Sequence, residues 1–386
     1  MKVYLDAVAT TAVNPEVLDT YKQLLDKYYC NSDALYDDGV AIYDMQEKSR
    51  KMIADLIGVN KEEIIFTSGA SEANSLAIKG LALKHPERKH LITTIYEHSS
   101  AYNSFKQLQD DFGYEVTYLY PDENGNITPE MVKDALRDDT LLVSTMMVNN
   151  EIGAVNDING IGKIVKKHSG TYYHVDITQA LGKIDIDLSN VDMASFSAHK
   201  IHGLKGSGVL VRKQHVDLLP IISGGQQEFS IRGGTSNALV NIVLAKTLRM
   251  ALEHQKEYKD YLKDLHNYLI EGLNGLCKVN SRKGGLDTLV NISTSIQSEV
   301  LLNALNEKGI MVSSKSTCGS RKNEPNRALS ALGIDEDYAI RVSFDYTNNK
   351  DEIKYFVDSL KEILDKYGWF NVWPYRCKIW RIIYKG

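Results

Sequence analysis

Residues 66–80, FTSGASEANSLAIKG, combine a short apolar run, a glycine turn and the start of a predicted helix. The first turn of a helix exposes unpaired N–H groups with a partial positive charge, and Gly69 leaves room for a ligand beside them. The turn could therefore bind a phosphate group, with the Ser71 hydroxyl as a further donor. Ser71 could equally be the N-cap of the helix, so both roles stay open here. The spacing is not that of a nucleotide-binding P-loop.

Two charged residues follow predicted strands further along the chain. Asp176 ends the apolar run YYHVD, and in open α/β sheets ligands bind at the carboxyl ends of the strands. Lys200 comes 24 positions later, in SFSAHKIHGLKG, before a glycine-rich turn. A lysine in a partly dry site can lose its proton and act as a nucleophile. The alternative for Asp176 is a helix cap, with the helix starting at Thr178. The alternative for Lys200 is an ordinary solvated loop lysine, and Lys205, with glycines on two sides, is a candidate for that role.

These three features are more specific together than apart. A phosphate seat, a carboxylate at a strand end and a nucleophilic lysine are the groups that pyridoxal 5′-phosphate (PLP) requires. The lysine forms a Schiff base with the cofactor, the carboxylate keeps the pyridine nitrogen protonated, and the helix N-terminus binds the phosphate. The sequence therefore predicts PLP as the cofactor.

The surrounding elements predict an α/β fold. Apolar runs typical of strands alternate with amphipathic helical stretches from about residue 14 to residue 255, which favours a mostly parallel sheet covered by helices. The strand-like runs lie at 63–68, 90–98, 115–120, 140–149, 172–176, 192–197 and 208–213, and the helical ones at 46–57, 72–84, 100–112, 129–137 and 158–168. A long helical region at 237–277 then leads to strands near 287–294 and 339–344 and helices near 298–308 and 351–366, typical of a smaller α+β domain.

Composition narrows the class of protein. The chain has 386 residues with 43% hydrophobic and 25% charged residues, which are ordinary globular values for about two or three domains. A net charge of −5 does not favour a nucleic-acid partner. No apolar run is long enough to span a membrane, and the first residues have no secretory apolar region, so we expect a cytoplasmic protein. The four cysteines, Cys30, Cys277, Cys318 and Cys377, are too scattered for a disulfide framework or a zinc site.

Residues 369–386 differ from the rest of the chain. They hold all three tryptophans and four cations, Arg376, Lys378, Arg381 and Lys385, with no acid. We expect this tail to pack on its own domain or on a partner subunit. Read-through sequence and an anchor on a membrane surface or a protein are the alternatives.

The ordered motifs along the chain resemble those of a known family. They are YLDAVATT, FTSGASEAN, YEHSS, VNNEIGAV, HVDITQALGK, SFSAHKIHGLKG, GGQQE, RGGT, VSSKSTCGS, EPNRALSALGI and IRVSF. Together they resemble the cysteine desulfurases of the NifS/IscS type, in the class V aminotransferase group of PLP-dependent enzymes, from about residue 3 to about residue 366. The resemblance implies the aspartate aminotransferase-type PLP fold. We expect a large domain at 13–253 with a mostly parallel seven-stranded sheet, a small α+β domain at 1–12 and 254–368, and the separate tail.

The resemblance also implies a role for each matching residue. Lys200 matches the Schiff-base lysine, Arg341 the residue that pairs with the substrate carboxylate, and Cys318 the catalytic cysteine. Asp176 would hold the pyridine nitrogen and His98 would stack on the cofactor and relay protons, while Asn150 would contact the cofactor and the substrate. The implied cofactor contacts are Ala70, Ser71, His98, Asn150, Asp176, Gln179, Ser197, His199, Lys200 and Thr235, the last donated by the other subunit of a homodimer.

The implied reaction converts L-cysteine to L-alanine and leaves the sulfur as a persulfide on Cys318. Residues 313–326 are rich in Ser, Gly, Lys and Asn, which is typical of an exposed loop, and Lys315, Arg321 and Lys322 would favour the thiolate. Cys277 and Cys30 are predicted to be core residues. The sulfur would pass to an acceptor such as an Fe–S scaffold or a tRNA-thiolation enzyme.

Two segments depart from the family pattern. Ala7-Val8 and Ala12 stand where relatives usually have Asn-Ala and Pro, and CNSDALYDDG at 30–39 lacks the usual Pro, Ser and His. These segments help to shape the substrate entrance in relatives, so the departures bear on substrate preference, activity and partner choice. Two rivals stay open: another PLP enzyme on this fold, such as a selenocysteine lyase or an aminotransferase for a different amino acid, and a degenerate, non-catalytic dimeric paralogue. The last is disfavoured because Lys200, Asp176, His98 and Cys318 are all present.

Overall fold

The computed structural model describes residues 1–314 and 325–367. Cys318, Cys377 and the tail at 369–386 therefore lie outside the described residues. The described strands are β1 (Val3–Tyr4), β2 (Ile64–Thr67), β3 (His90–Thr94), β4 (Glu115–Leu119), β5 (Thr140–Met146), β6 (Tyr172–Asp176), β7 (Met193–Ser197), β8 (Gly208–Arg212), β9 (Lys278–Val279), β10 (Leu289–Ser293), β11 (Ile310–Met311) and β12 (Ala339–Ser343).

The helices of the described residues fall between these strands. They are α1 (Pro15–Lys27), α2 (Asp37–Ile57), α3 (Ala70–Ser75), α4 (Leu81–Lys84), α5 (Ser99–Phe112), α6 (Pro129–Ala135), α7 (Ile158–Val165), α8 (Gln227–Ser230), α9 (Ala238–Glu257), α10 (Lys259–Leu273), α11 (Ser298–Glu307), α12 (Arg327–Ala331) and α13 (Lys350–Tyr367). A π-helical turn, Leu76–Gly80, joins α3 to α4. Among the described residues, no helix is both long and apolar enough to cross a bilayer.

Seven strands form one mixed sheet in the order β2-β8-β7-β6-β5-β3-β4. Strand β8 is antiparallel to both neighbours, and the other pairs are parallel. Every residue of β3, β5 and β7 is buried, as expected for parallel strands with both faces covered. The structure thus confirms the predicted α/β class and the mostly parallel seven-stranded sheet.

The chain divides into two units. The larger comprises Val8–Asn150 and Ala154–Lys259, and the smaller comprises Met1–Ala7, Glu151–Gly153 and the described residues from Asp260 onward. The expected boundaries at 12/13 and 253/254 differ from these, and the expectation did not include the short segment at 151–153. One buried cluster of the larger unit packs α3 and α5 on the sheet and includes Leu76, Phe105 and Leu142.

The smaller unit has its own sheets and core. Strands β12-β10-β9 form an antiparallel sheet, and β1 pairs in parallel with β11. The core combines residues of α10, α11 and α13 with these strands, among them Leu269, Val290 and Phe356. This is the α+β arrangement that the sequence predicts for the C-terminal part.

Some element boundaries depart from the predictions. Helix α2 begins at Asp37, nine residues before the predicted start at 46, and the single helical region at 237–277 is two helices, α9 and α10. Strand β3 ends at Thr94 instead of 98, because the chain turns there toward the N-cap of α5. Periodicity is weakest at helix ends, where the backbone satisfies its hydrogen bonds through caps.

Candidate active site

Most of the predicted cofactor residues of the larger unit gather at one edge of the seven-stranded sheet. Strands β3, β5, β6 and β7 are parallel, and β2 runs with them because both β2 and β7 are antiparallel to β8. Their carboxyl ends therefore meet at the same edge. His98 follows β3, Asn150 follows β5, Asp176 ends β6 and Ser197 ends β7.

The turn between β2 and α3 fits the predicted phosphate seat. Gly69 has a φ of +147°, which favours glycine, and the Ala70 N–H donates to Ser197 Oγ at 2.6 Å. A Cβ on Gly208 would lie only 2.5 Å from Gly69 Cα, so glycine is needed there for the turn to pass beside the sheet. The N-cap of α3 is Gly69, whereas Ser71 is an exposed residue in the first turn. The alternative of Ser71 as the N-cap is therefore wrong.

Asp176 is buried and accepts hydrogen bonds on both carboxylate oxygens. Its Oδ1 accepts from the Thr178 N–H at 2.9 Å, and its Oδ2 accepts from Asn74 Nδ2 at 2.8 Å. The first contact has the form of a cap, but the residues after it form turns and no helix. The second contact has no part in capping, since it comes from a different helix. Asp176 is thus held as an oriented carboxylate at the sheet edge.

His174, two positions before Asp176 on β6, is a neutral histidine of the core. Its ring nitrogens lie 2.8 Å from Ser144 Oγ and 2.9 Å from Ser195 Oγ. Burial lowers its pKa to about 4. It therefore adds no positive charge beneath the Asp176 carboxylate at neutral pH.

Lys200 lies just past β7, and its ammonium is held by backbone oxygens. Nζ donates to Val8 O at 2.6 Å and to Ala9 O at 2.7 Å. Gln179 Nε2 donates to the same Val8 oxygen at 3.1 Å, so two predicted cofactor residues converge there. Lys200 is half-buried and Lys205 is exposed, which supports Lys200 as the reactive lysine.

His199, beside Lys200, is also neutral. Burial, followed by the positive charge of Lys200, lowers the pKa of His199 to about 4. Its Nδ1 lies 3.0 Å from Thr10 Oγ1, and its backbone oxygen accepts from the Thr11 N–H at 2.9 Å. A neutral imidazole can act as a hydrogen-bond donor toward a phosphate, the role predicted for it.

An ion pair and a hydrogen bond connect the segment before Thr235 to the turn between β2 and α3. Arg232 Nε donates to Glu72 Oε1 at 2.8 Å, and Glu72 Oε2 accepts from the Ser68 N–H at 2.8 Å. Burial alone would raise the pKa of Glu72, but these hydrogen bonds lower it, so the ion pair holds at neutral pH. Thr235 itself is exposed and lines a cavity of about 120 Å³ together with Ser68.

Arg341 belongs to the smaller unit and is buried in an ion-pair cluster. Nη1 lies 3.0 Å from Glu151 Oε1, and Nη2 lies 3.2 Å from Asp6 Oδ1. A substrate carboxylate would have to compete with these two acids for the guanidinium. The sequence singled out Arg341 but neither of these partners.

The structure describes two of the four cysteines, Cys30 and Cys277, and shows whether each is a core residue. Cys318 lies outside the described residues. Cys277 packs against the core of the smaller unit, and burial raises the pKa of its thiol to about 11, so it is a poor nucleophile at neutral pH. Cys30 is only half-buried, beside a Tyr29 that is 92% exposed, so the prediction of a core residue is wrong for Cys30.

Glu97, next to His98, is a buried carboxyl group that the sequence did not single out. Its Oε1 accepts from Thr94 Oγ1 at 2.6 Å and from the Met146 N–H at 2.8 Å, while Oε2 is buried without a hydrogen-bond partner in the described part of the chain. Burial raises the pKa of Glu97 to about 8. The group is therefore mostly protonated at neutral pH.

This protonation predicts a pH effect on stability. A glutamate in the unfolded chain ionises near its ordinary pKa of 4.5, whereas folded Glu97 keeps its proton up to a pKa of about 8. Between these values the unfolded state releases a proton that the folded state retains, so the contribution of Glu97 to stability falls as the pH rises. Glu97→Gln cannot titrate. The ratio of its folding equilibrium constant to that of the wild type should therefore rise by up to about tenfold per pH unit in this window.

Urea midpoints of the two proteins across this pH window test the prediction. Glu62→Gln, at an exposed carboxylate on the surface of the same unit, is the matched control and should follow the wild type. Parallel pH curves for Glu97→Gln and wild type would show that Glu97 is already ionised in the folded protein.

Comparison with known proteins places this chain in a family. The aminotransferase class-V family matches residues 3–356. The NifS/IcsS protein homolog of Lactobacillus delbrueckii subsp. bulgaricus is 37% identical over 381 residues, covering 96% of this chain and 99% of that protein. Cysteine desulfurase IscS of Methanosarcina thermophila is 35% identical over 374 residues, covering 94% and 92%.

A solved structure agrees with these relatives. A NifS-like protein superposes with a TM-score of 0.89 at 33% sequence identity, covering 95% of this chain and 100% of its own. This superposition extends over both units of the chain, and so do the sequence matches to the Lactobacillus and Methanosarcina proteins. The chain therefore belongs to the aminotransferase class-V family and, within it, to the NifS- and IscS-like cysteine desulfurases.

Proposed function

We propose that this protein uses PLP attached at Lys200 to convert L-cysteine to L-alanine and to place the sulfur on Cys318. The observation that carries the proposal is the gathering of Lys200, Asp176, His98 and the Gly69 turn at one edge of the sheet. A primary amine, an oriented carboxylate, an imidazole and a glycine turn are each what one part of PLP requires.

The residues of this edge fit the cofactor chemically. Lys200 would hold its aldehyde carbon, Asp176 its pyridine nitrogen, and Gln179 and Asn150 its phenolic side. Its phosphate would be bound by Ala70, Ser71, Ser197 and His199, with Thr235 of a second copy. Gly69 and Gly208 let the turn pack directly against the end of β7, and this close packing supports the phosphate assignment because it holds the start of α3 beside Ser197. Bound PLP supplies an electron sink that makes the α- and β-carbons of an amino acid reactive.

The chain's own residues then divide the remaining work. Lys200 Nζ and the His98 ring would move protons to and from the substrate carbons, and Arg341 would pair with the substrate carboxylate. The Cys318 thiolate would attack the substrate sulfur, so that an S–S bond forms as the Cβ–S bond breaks. The electron pair left on Cβ takes up a proton, and the product is alanine.

We further propose a homodimer that passes sulfur to an acceptor protein such as an Fe–S scaffold or a tRNA-thiolation enzyme. Tyr29 and Leu35 are 92% and 95% exposed, and Thr235 is exposed as well, which suits a surface covered by a second copy. The cytoplasm remains the proposed location; within residues 1–314 and 325–367, Cys30 and Cys277 form no disulfide with each other, which is compatible with a reducing compartment.

Product analysis with the purified, PLP-loaded protein tests the proposed function. L-Cysteine should give alanine without any 2-oxo acid, and sulfide should appear when a reductant is added. Consumption of L-cysteine only in the presence of a 2-oxo acid, with the amino acid of that acceptor formed and the carbon–sulfur bond kept, would indicate an aminotransferase. Turnover with selenocysteine alone would indicate a lyase of that class. A loaded protein with no turnover of any amino acid would indicate the non-catalytic paralogue.

A further inference from the structure

Asn74 on α3 connects two groups of the candidate site that lie after different strands. It is fully buried, and its Nδ2 donates to Asp176 Oδ2 at 2.8 Å and to Ser100 Oγ at 2.9 Å. Ser100 Oγ in turn lies 2.8 Å from His98 Nδ1. A continuous chain of hydrogen bonds therefore runs from Asp176 through Asn74 and Ser100 to His98.

The Asp176 carboxylate decides the orientation of the Asn74 amide. A carboxylate only accepts hydrogen bonds, so the amide nitrogen must face it. This leaves Asn74 Oδ1 buried without a hydrogen-bond partner in the described parts of the chain. An orphaned buried oxygen destabilises the fold, and a leucine of the same shape would avoid it. The two donor contacts are what Asn74 offers and leucine does not.

The same chain sets the tautomer of His98. Because Asn74 Nδ2 can only donate, Ser100 Oγ accepts from it and its own hydroxyl hydrogen is left to donate to His98 Nδ1. The Ser100 N–H also donates to Nδ1, at 3.2 Å. With two donors directed at it, Nδ1 is an unprotonated acceptor, so the ring hydrogen of neutral His98 lies on Nε2.

We infer that Asn74 is a positioning residue of this active site, which fixes the Asp176 carboxylate and, through Ser100, the Nε2–H tautomer of His98. The inference rests on the proposed function, in which Asp176 faces the pyridine nitrogen and His98 lies at the ring. Asn74 acts through these two side chains and not on the substrate. A purely structural Asn74 would make the leucine variant neutral or stabilising with full turnover.

Asn74→Leu is the test variant, because it keeps the shape and removes both donors. Ser75→Ala is the matched control: it lies on the same helix and loses only a contact of 3.3 Å to Ser104 Oγ. At saturating PLP, kcat for alanine formation should fall about tenfold or more in Asn74→Leu, a loss of the size seen when the hydrogen-bond partner of a metal ligand is removed. KM should change less than kcat, and Ser75→Ala should match the wild type.

A second measurement needs neither cofactor nor substrate. NMR of the apoprotein with isotope-labelled histidine reports which ring nitrogen of His98 carries the hydrogen. The wild type and Ser75→Ala should show the Nε2–H tautomer, and the share of the Nδ1–H tautomer should rise in Asn74→Leu. Ser100→Ala keeps the Asn74–Asp176 hydrogen bond and removes the hydrogen bond from Ser100 Oγ to His98 Nδ1. It should show the same rise, and it replaces Asn74→Leu as the test variant if Asn74→Leu does not fold.

The outcomes separate this inference from the proposed function. A wild type that makes no alanine defeats the proposed function, while the histidine signal still tests the chain of hydrogen bonds. A loaded Asn74→Leu with wild-type kcat overturns the positioning role. An unchanged His98 tautomer in both variants overturns the part of the inference in which Asn74 sets this tautomer through Ser100. A changed tautomer together with a lower kcat supports the whole inference.

Discussion

Lys200→Ala should abolish covalent attachment of PLP and turnover of L-cysteine together. Lys200 is the only half-buried lysine of the described SAHKIHGLKG segment, and its Nζ is held at the sheet edge by the Val8 and Ala9 oxygens. Loss of proton transfer by a positioned side chain alone costs about 10²–10⁴-fold in rate, and loss of the nucleophile adds to this. The measurement is borohydride reduction of the loaded protein, followed by mass mapping of its peptides.

Lys205→Ala is the control for this experiment. Lys205 is exposed, five positions further along the chain, and its loss should leave both the reduced adduct and the turnover unchanged. If the adduct maps to Lys205, or persists in Lys200→Ala, the assignment of Lys200 is wrong and another amine forms the Schiff base with PLP.

Cys318→Ser should bind PLP and L-cysteine but produce almost no alanine. Serine keeps the size of the side chain, but its hydroxyl is not ionised near neutral pH and does not hold a persulfide. Without a sulfur acceptor the Cβ–S bond stays intact, so the visible spectrum should still change on addition of L-cysteine while product formation falls to background.

The other described cysteines provide the controls. Cys277→Ser and Cys30→Ser should keep alanine formation, although Cys277→Ser will cost stability because its thiol packs against the core of the smaller unit. Alanine at the wild-type rate from Cys318→Ser would replace the persulfide mechanism with a lyase or an aminotransferase reaction.

Strand positions and the cofactor residues were largely predictable from the sequence. All seven predicted strands of the larger unit are present, and the most buried of them, such as β3, β5 and β7, are marked by dense apolar runs. Asp176 and Lys200 follow such runs, so the sheet edge and the residues on it could be inferred together. The start of α2 was missed because residues 37–45 mix acids with exposed apolar side chains such as Val40 and Tyr43 and show no clear stripe.

The polar partners of the site were much harder to predict. Asn74 follows the buried Ala73 on α3 and is itself buried, and an amide on a buried helix face is the one signal that could have found it. Glu97 and the acids beside Arg341 depend on contacts between residues far apart in the chain, such as the 190 positions between Glu151 and Arg341. No local pattern encodes such pairs, since they arise only when the fold brings the residues together.

The most direct test follows sulfur from substrate to enzyme. The loaded protein is treated with one equivalent of L-cysteine carrying isotopically labelled sulfur, without reductant, and its thiols are then alkylated and digested with trypsin. The proposed function predicts one labelled sulfur atom on the peptide 316–321, which contains Cys318, and one alanine formed per labelled sulfur. Alanine or pyruvate formed with no label on that peptide would contradict it.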